Sequence, residues 1–348
     1  MHHRRYDPSL LYHVTLRTID GRWALNPQDP LLQKRIVGAL AAAQAATGAR
    51  VYAFTFMSNH YHGLFAAEGP EQFAAFLCLF HAATSRLVNR CFGRTGPMWR
   101  PRAHVQAVLP GEASELAALR YITLQAAKAG LVAHPREWTG ASSVRWLLDG
   151  EAVTGEYVDQ TARTLAARNG KAPGDLADYT EQLEVVMSPL PHLAHLPSDE
   201  RLSVVRGVIE AALQPPEVGY QGDGIGCDGA DTGLPENARQ YSTGQIHSAT
   251  SATPTVDSPA PGEWDGLPTS PPPPRRSRTN RALCIAPSRA AEKEYEASVK
   301  DFENAYAAAK VQLRLAAEAV ARGESAAFVA FPAFGFAPAG RTYWRQAS

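Results

Sequence analysis

The stretch from Val51 to Phe65 constrains this chain more than any other. It reads as a strand, a tight polar turn at Met57-Ser58-Asn59, and a second strand carrying His60-Tyr61-His62. Side chains two residues apart on a strand share a face, so both imidazoles project into one small volume while Tyr61 points away. Paired imidazoles are a common way to begin a metal site. With 11 histidines in 348 residues, chance alone yields about 0.35 such pairs, so the pattern needs context.

Context comes from residues 116–131. Pro110 and Gly111 precede this Ala- and Leu-rich stretch, Glu112 and Glu115 occupy its first turn, and Gly130 suits the C-cap, so a helix is expected over 112–130. Tyr121, Gln125 and Lys128 fall at i, i+4 and i+7 and so share one helical face. A phenol, a carboxamide oxygen and an ammonium in a column fit a nucleophile, a hard metal ligand and a phosphate-binding cation. The competing reading makes Tyr121 a core residue and leaves Gln125 and Lys128 solvated.

Five blocks taken together resemble the single-tyrosine HUH transposases, especially the REP-associated tyrosine transposases and their insertion-sequence relatives. Tyr12–Arg17 resembles the first strand, Met57–His62 the histidine block, Arg94–Arg102 the Arg/Trp block, Arg120–Val132 the tyrosine helix, and Trp138–Ser143 the closing Trp/Ser-Ser block. The resemblance covers residues 1–150. Ser58 stands where the family usually has proline. Gln125-Ala126 stands where the REP-associated branch commonly has Asn-Pro, and some insertion-sequence relatives have glutamine there.

The resemblance implies a ferredoxin-like antiparallel sheet with helices packed on it, the HUH endonuclease fold. It also implies Tyr121 as nucleophile and His60, His62 and Gln125 as ligands of a divalent metal, Mg2+ or Mn2+. Attack on single-stranded DNA would leave a 5′-phosphotyrosine link and a free 3′-hydroxyl, and the implied substrate is a hairpin-containing element end or REP-like palindrome. A homodimer is compatible with this reading. Two alternatives stand beside it: a catalytically silent, domesticated nucleic-acid-binding regulator, and a rolling-circle replication initiator.

The formal net charge is zero, yet residues 1–150 hold 16 Lys+Arg against 9 Asp+Glu, and the remainder is acidic by the same margin. A basic first half suits a polyanionic partner. Its sharpest run is Arg86, Arg90, Arg94, Arg100 and Arg102, interleaved with Phe92 and Trp99 and free of acids. Arginines alternating with aromatics suit backbone charges plus base stacking. The expected DNA-binding set is therefore Arg17, Arg86, Arg90, Arg94, Trp99, Arg100, Arg102 and Lys128. Cys78, Cys91, Cys227 and Cys284 show no paired spacing and fit reduced cytoplasmic thiols. Neither a signal peptide, a membrane span nor a phosphate-loop motif is visible.

The hydrophobic pattern predicts strand, helix, strand, strand, helix, strand, helix over 11–18, 30–47, 51–57, 61–67, 70–92, 103–109 and 112–130. That order fits the ferredoxin-like arrangement, with the histidine strand central. His81 and His104 read as structural or solvent-facing. Residues 151–215 read as an acidic helical extension, with helices at 178–186 and 200–213. Residues 216–282 are Pro/Gly-rich and read as a disordered linker, and 283–348 as a C-terminal helix and tail.

Overall fold

A computed structural model describes residues 5–169, 174–214, 267, 269, 284–325 and 329–332. The fold is mixed α+β. Strand β1 (Leu11–Arg17) leads to helix α1 (Pro30–Thr47), which the Asp29 carboxylate caps by accepting from Leu32 N at 2.9 Å and which ends on Gly48 at φ 71°. Strands β2 (Arg50–Met57) and β3 (His60–Ala66) form the hairpin read from the sequence, with a two-residue turn. Helix α2 (Pro70–Cys91) and strand β4 (His104–Val108) follow. The central sheet has five strands in the order β2-β3-β1-β4-β7, where β7 is the short segment Cys284–Ile285. All neighbours are antiparallel except β4 and β7.

The two faces of this sheet carry different covers. One packs Val14, Leu16, Tyr61 and Phe65 against Ile36 and Leu40 of α1 and Phe76 and Phe80 of α2. The other packs Tyr52, Leu64 and Val108 against helices α3 (Glu112–Thr123), α5 (Val144–Asp149) and α7 (Ser198–Leu213). Burial of each large apolar side chain contributes roughly 1.5–3 kcal/mol, so the aromatic cluster under α1 and α2 is the principal stabilising element.

Two expectations are corrected. The helix expected over 112–130 breaks at Leu124 (φ −86°, ψ 5°) into α3 and a single turn α4 (Gln125–Lys128). Buried Ile122 and Thr123 crowd this point, and the Thr123 hydroxyl donates back to Leu119 O at 2.7 Å, which loosens the helix there. Residues 178–186 are not a helix but a 3-10 turn (Leu176–Tyr179) followed by strand β6 (Thr180–Glu184). That strand pairs with β5 (Thr154–Val158), and helix α6 (Gln160–Arg168) lies between them in sequence.

Packing continues past residue 150. Val153 and Val185 belong to the main core, and the β5–β6 pair lies directly on α1. Gly38 and Gly155 permit that contact, because a Cβ on either would overlap the other element's backbone. The helix expected at 200–213 is present as α7, and the C-terminal helix as α8 (Arg289–Ala321). The expected linker 216–282 lies outside the described residues apart from Leu267 and Thr269.

Candidate active site

Strand register builds the site. Residues directly opposite on antiparallel strands share a face, and β1 sets Thr15 opposite His62 and Arg17 opposite His60. On the far side of β3, Thr55 of β2 is opposite His62. On β4, His104 faces Thr15 and Gln106 faces His13. Alternation therefore gathers His13, Thr15, Arg17, Thr55, His60, His62, His104 and Gln106 on one sheet face. Tyr61 is fully buried on the other, against Phe56, Phe80 and Trp99.

The histidine ring nitrogens are oriented by neighbours. Asn59 donates its amide to Gly21 O at 3.0 Å, which aims Oδ1 at His60 Nδ1, 2.7 Å away. His60 Nδ1–H donates there, leaving Nε2 as the nitrogen with a lone pair. His62 Nδ1 lies 3.0 Å from both Thr15 Oγ1 and His13 Nε2. With the proton on Nδ1, His62 also keeps a lone pair on Nε2, and His13 then carries its proton on Nδ1. Gln106 of β4 is a hydrogen-bonding neighbour of the His13 ring, and Thr55 Oγ1, opposite His62 on β2, is buried without a partner.

Burial holds all three imidazoles neutral. His13 is pushed down to about 3 by burial and then by His104, with Gln106 acting in the opposite direction. Burial and then Arg17 push His60 down to about 3. His62 is held well below the usual histidine range by burial, and further by His60, His13, Arg17 and His104. Neutral imidazoles are the ligating form.

Helix α3 brings Tyr121 to this face. Its ring centroid lies 5.4 Å from that of His62 and 5.5 Å from that of His13, edge-on in both cases, and the His60 and His62 rings are 5.1 Å apart. Lys128 Nζ lies 5.1 Å from the centre of the Tyr121 ring. Gln125 adjoins Tyr121 as well, but its amide nitrogen donates to Tyr121 O at 2.8 Å. Tyr121, Lys128 and the histidine pair are thus together, and the Gln125 amide nitrogen is turned to the last turn of α3. Among the described residues no three His, Cys, Asp or Glu side chains form a metal-binding group, so a cation here would rest on two imidazoles and an amide or hydroxyl oxygen. Three protein donors leave coordination positions open, as in catalytic rather than closed structural metal sites.

Other tyrosines are poorer nucleophile candidates. Tyr6, Tyr12, Tyr52 and Tyr61 are buried, and burial raises each phenol above its ordinary value, Tyr6 to about 12.

The arginine run is not one surface. Arg17 and Arg100 meet at the His60 end of the site, where Arg100 N donates to Arg17 O at 2.9 Å. Arg102 is exposed just before β4. Arg94 bonds Asn89 Oδ1 at 2.7 Å and Pro97 O at 3.1 Å, so it shapes its own loop. Arg86 and Arg90 lie on α2, across the sheet from Tyr121. Trp99 is corrected from base-stacking to structural: it is 7% exposed, and its indole donates to Thr84 Oγ1 at 3.0 Å. Its position in a basic loop suggested stacking, whereas its side chain closes the aromatic core. His81 is structural, bonded to the Tyr61 hydroxyl at 2.6 Å.

The sequence signal missed His13. Its i, i+2 spacing to Thr15 on an apolar strand was visible, but the partner strand and register that set it against His62 were not.

No protein-family model matches this chain, and no curated protein does. Among solved structures, it is similar to a REP-associated tyrosine transposase bound to a REP hairpin, with 17% identity, 43% of this chain and 86% of that chain covered, and a TM-score of 0.35. It is also similar to a putative transposase from Deinococcus radiodurans R1, with 20% identity, 35% and 95% coverage, and a TM-score of 0.25. Likeness at this level decides nothing about chemistry, which rests on the site itself. No helix among the described residues is long and apolar enough to cross a membrane.

Proposed function

We propose that this protein is a metal-dependent single-stranded DNA transposase or endonuclease of the tyrosine HUH type, with Tyr121 as nucleophile. The observation that carries the reading is the convergence of Tyr121 on His62 across a buried polar sheet face. The order β2-β3-β1-β4 supports a ferredoxin-like core under that face.

In the proposed reaction the Tyr121 oxygen attacks the scissile phosphorus. The bond from phosphorus to the 3′ oxygen breaks with its electron pair going to that oxygen, the phenol gives up its proton to solvent, and the leaving oxygen takes one from solvent to become a 3′-hydroxyl. The strand stays linked through a 5′-phosphotyrosine, which a second 3′-hydroxyl can reverse. A free phenol has a pKa of ~10, so the neighbours must favour its deprotonated form. Lys128, beside the ring, stabilises negative charge on the phenolate and phosphate. Arg17 and Arg100 lie at the other end of the site, where an adjoining phosphate would sit. His60 and His62, with the Gln125 oxygen after rotation of its amide, would hold Mg2+ or Mn2+. That ion, when bound, would supply charge neutralisation at the scissile phosphate. Hairpin-forming element ends or REP-like palindromes are the proposed substrate.

The test is incubation of the full chain with labelled single-stranded DNA from the flanks of its reading frame, with Mn2+, followed by a denaturing gel. A covalent adduct is expected. Its absence with every flanking sequence, while binding persists, would replace this reading by a silent DNA-binding regulator.

A further inference from the structure

Helix α3 carries Tyr121, and a segment distant in sequence from every residue of the site holds that helix in place. Glu115, in the first turn of α3, is 3% exposed. Its Oε2 accepts from His192 Nδ1 at 2.7 Å and from His192 N at 3.2 Å. Its Oε1 lies 3.5 Å from the N–H of Gly111, the N-cap of the same helix. Around this pair Leu190 and Leu193, with Val205 and Ile209 of α7, join Ala118, Leu119 and Ile122 of α3 in one buried cluster.

The segment that carries His192 is itself anchored on both sides. Ser188 N donates to Val51 O at 2.8 Å, and Met187 bridges Val51 in parallel, which ties the segment to the start of β2. Pro191 opens the 3-10 turn Pro191–Leu193, and its ring locks φ there. Further on, Arg206 Nε of α7 donates to Leu148 O at 2.6 Å, near the end of α5. His192 therefore meets α3 from a support fixed to the sheet and to α5.

Stability alone does not call for histidine at this position, because its Nε2 is buried without a hydrogen-bond partner. What the imidazole supplies is direction. Apolar packing is non-directional and tolerates sliding, whereas a short bond to a buried carboxylate holds a helix at one axial position.

We propose that His192 is a positioning residue: through Glu115 it fixes the axial position of α3, and with it the place of Tyr121 over the histidine pair. The chemical role of Tyr121 rests on the function proposed above; the fixing of α3 does not. Glu115 and Tyr121 are ~9 Å apart along the helix axis and about a third of a turn apart around it, so the bond acts on the phenol through the helix. A displacement of about 1 Å in a reacting group can cost about 100-fold in rate.

The experiment uses full-length protein carrying His192→Ala or His192→Asn, the second placing an amide N–H about where the Nδ1–H stands. Circular dichroism is the folding control. Adduct formation is timed at saturating hairpin oligonucleotide with Mn2+, and affinity is read by fluorescence anisotropy. In separate samples 3-fluorotyrosine at position 121 gives a 19F resonance that reports the surroundings of the ring without turnover. His192→Ala should slow adduct formation about thirtyfold with affinity within about twofold of wild type, and should shift or broaden the resonance. His192→Asn should restore the rate to within about threefold and return the resonance.

An unchanged rate and an unmoved resonance in folded His192→Ala would overturn the proposal. A defect that His192→Asn does not relieve would overturn it as well, since filled volume rather than the bond would then hold the helix. If His192→Ala does not fold, Glu115→Gln, which keeps the volume and weakens the bond, is judged by the same two readings. A resonance that moves in a protein forming no adduct sinks the catalytic reading alone. An adduct made at the wild-type rate with the resonance unmoved sinks the positioning role alone.

Discussion

The two faces of β1 and β3 are built on the same backbone and differ in how completely their polar groups are satisfied. On the face toward α1 and α2, Tyr12, Val14, Leu16, Tyr61 and Phe65 are buried, and the polar tips among the aromatics find partners: Tyr61 on His81, Trp99 on Thr84, Tyr6 on Ala67 O. On the face toward α3, Thr55 Oγ1 is buried with no partner, and the His13 ring is shared between His62 and Gln106. Each such group costs about 1–3 kcal/mol. The first face contributes stability. The second retains polar groups that stability alone would replace with apolar ones, which is where function is expected.

Substitution of matched tyrosines is the strongest way to break this comparison. Tyr121→Phe should abolish the covalent adduct, a loss of at least ~1,000-fold, with folding and DNA binding retained, because only the oxygen proposed as the nucleophile is removed. Tyr61→Phe should keep the adduct and lose about 1 kcal/mol of stability with its hydroxyl bond to His81. An adduct persisting in Tyr121→Phe would move the chemistry to another residue. Next in size, Phe80→Ala should cost about 3–5 kcal/mol in denaturant unfolding, since it empties a site packed by Phe56, Tyr61 and Phe76. A loss below about 1 kcal/mol would mean that the aromatic face is not the principal core.

His13→Leu should separate stability from function in one molecule. It replaces a buried imidazole by an apolar side chain of similar size and removes the Nε2 that orients His62, so unfolding stability should hold or rise. Mn2+ affinity, by calorimetry on the full chain, should fall about tenfold, the usual effect of losing a group that orients a metal-bound imidazole. Unaltered affinity would assign the orientation of His62 to Thr15 alone.

Much of this was legible because strand periodicity is a local property. The hairpin at Val51–Phe65, the same-face placement of His60 and His62, and the opposite facing of Tyr61 all follow from alternation. Membership in the site that depends on register was not legible: His13 reaches His62 only because β1 pairs with β3 as it does. Helix periodicity also overreached. It carried one helix through Leu124, and the break there changes how Gln125 meets Tyr121. Composition misplaced Trp99 and the arginines for a related reason. Neighbours in sequence from 86 to 102 are divided by the end of α2 and a loop, so charges contiguous in the chain end on opposite sides of the sheet. The β5–β6 pair was hidden behind the close approach of Gly38 and Gly155, a contact with no periodic signature.

The smallest expected effect concerns His81, which tests whether the core face is as fully satisfied as its hydrogen bonds suggest. Burial pushes His81 down to about 4, and its Nε2 meets the Tyr61 hydroxyl. In the unfolded chain the same imidazole takes a proton near 6.5. Above that pH both states are neutral, and His81 contributes nothing to pH dependence. Between about 6.5 and 4 the unfolded state binds a proton that the folded state refuses, so stability must fall as the pH drops through this window. Discounted for partial exposure, the loss attributable to His81 between pH 7 and 4.5 is about 1–2 kcal/mol. His81→Gln keeps a polar partner for Tyr61 without the titration, and its urea-unfolding free energy should fall by that much less than wild type over the same interval. Equal losses in the two proteins would mean that His81 accepts a proton in place, making its bond to Tyr61 one between a hydroxyl oxygen and an imidazolium. The core face would then hold a charge, and the contrast between the two sides of the sheet would rest on packing alone.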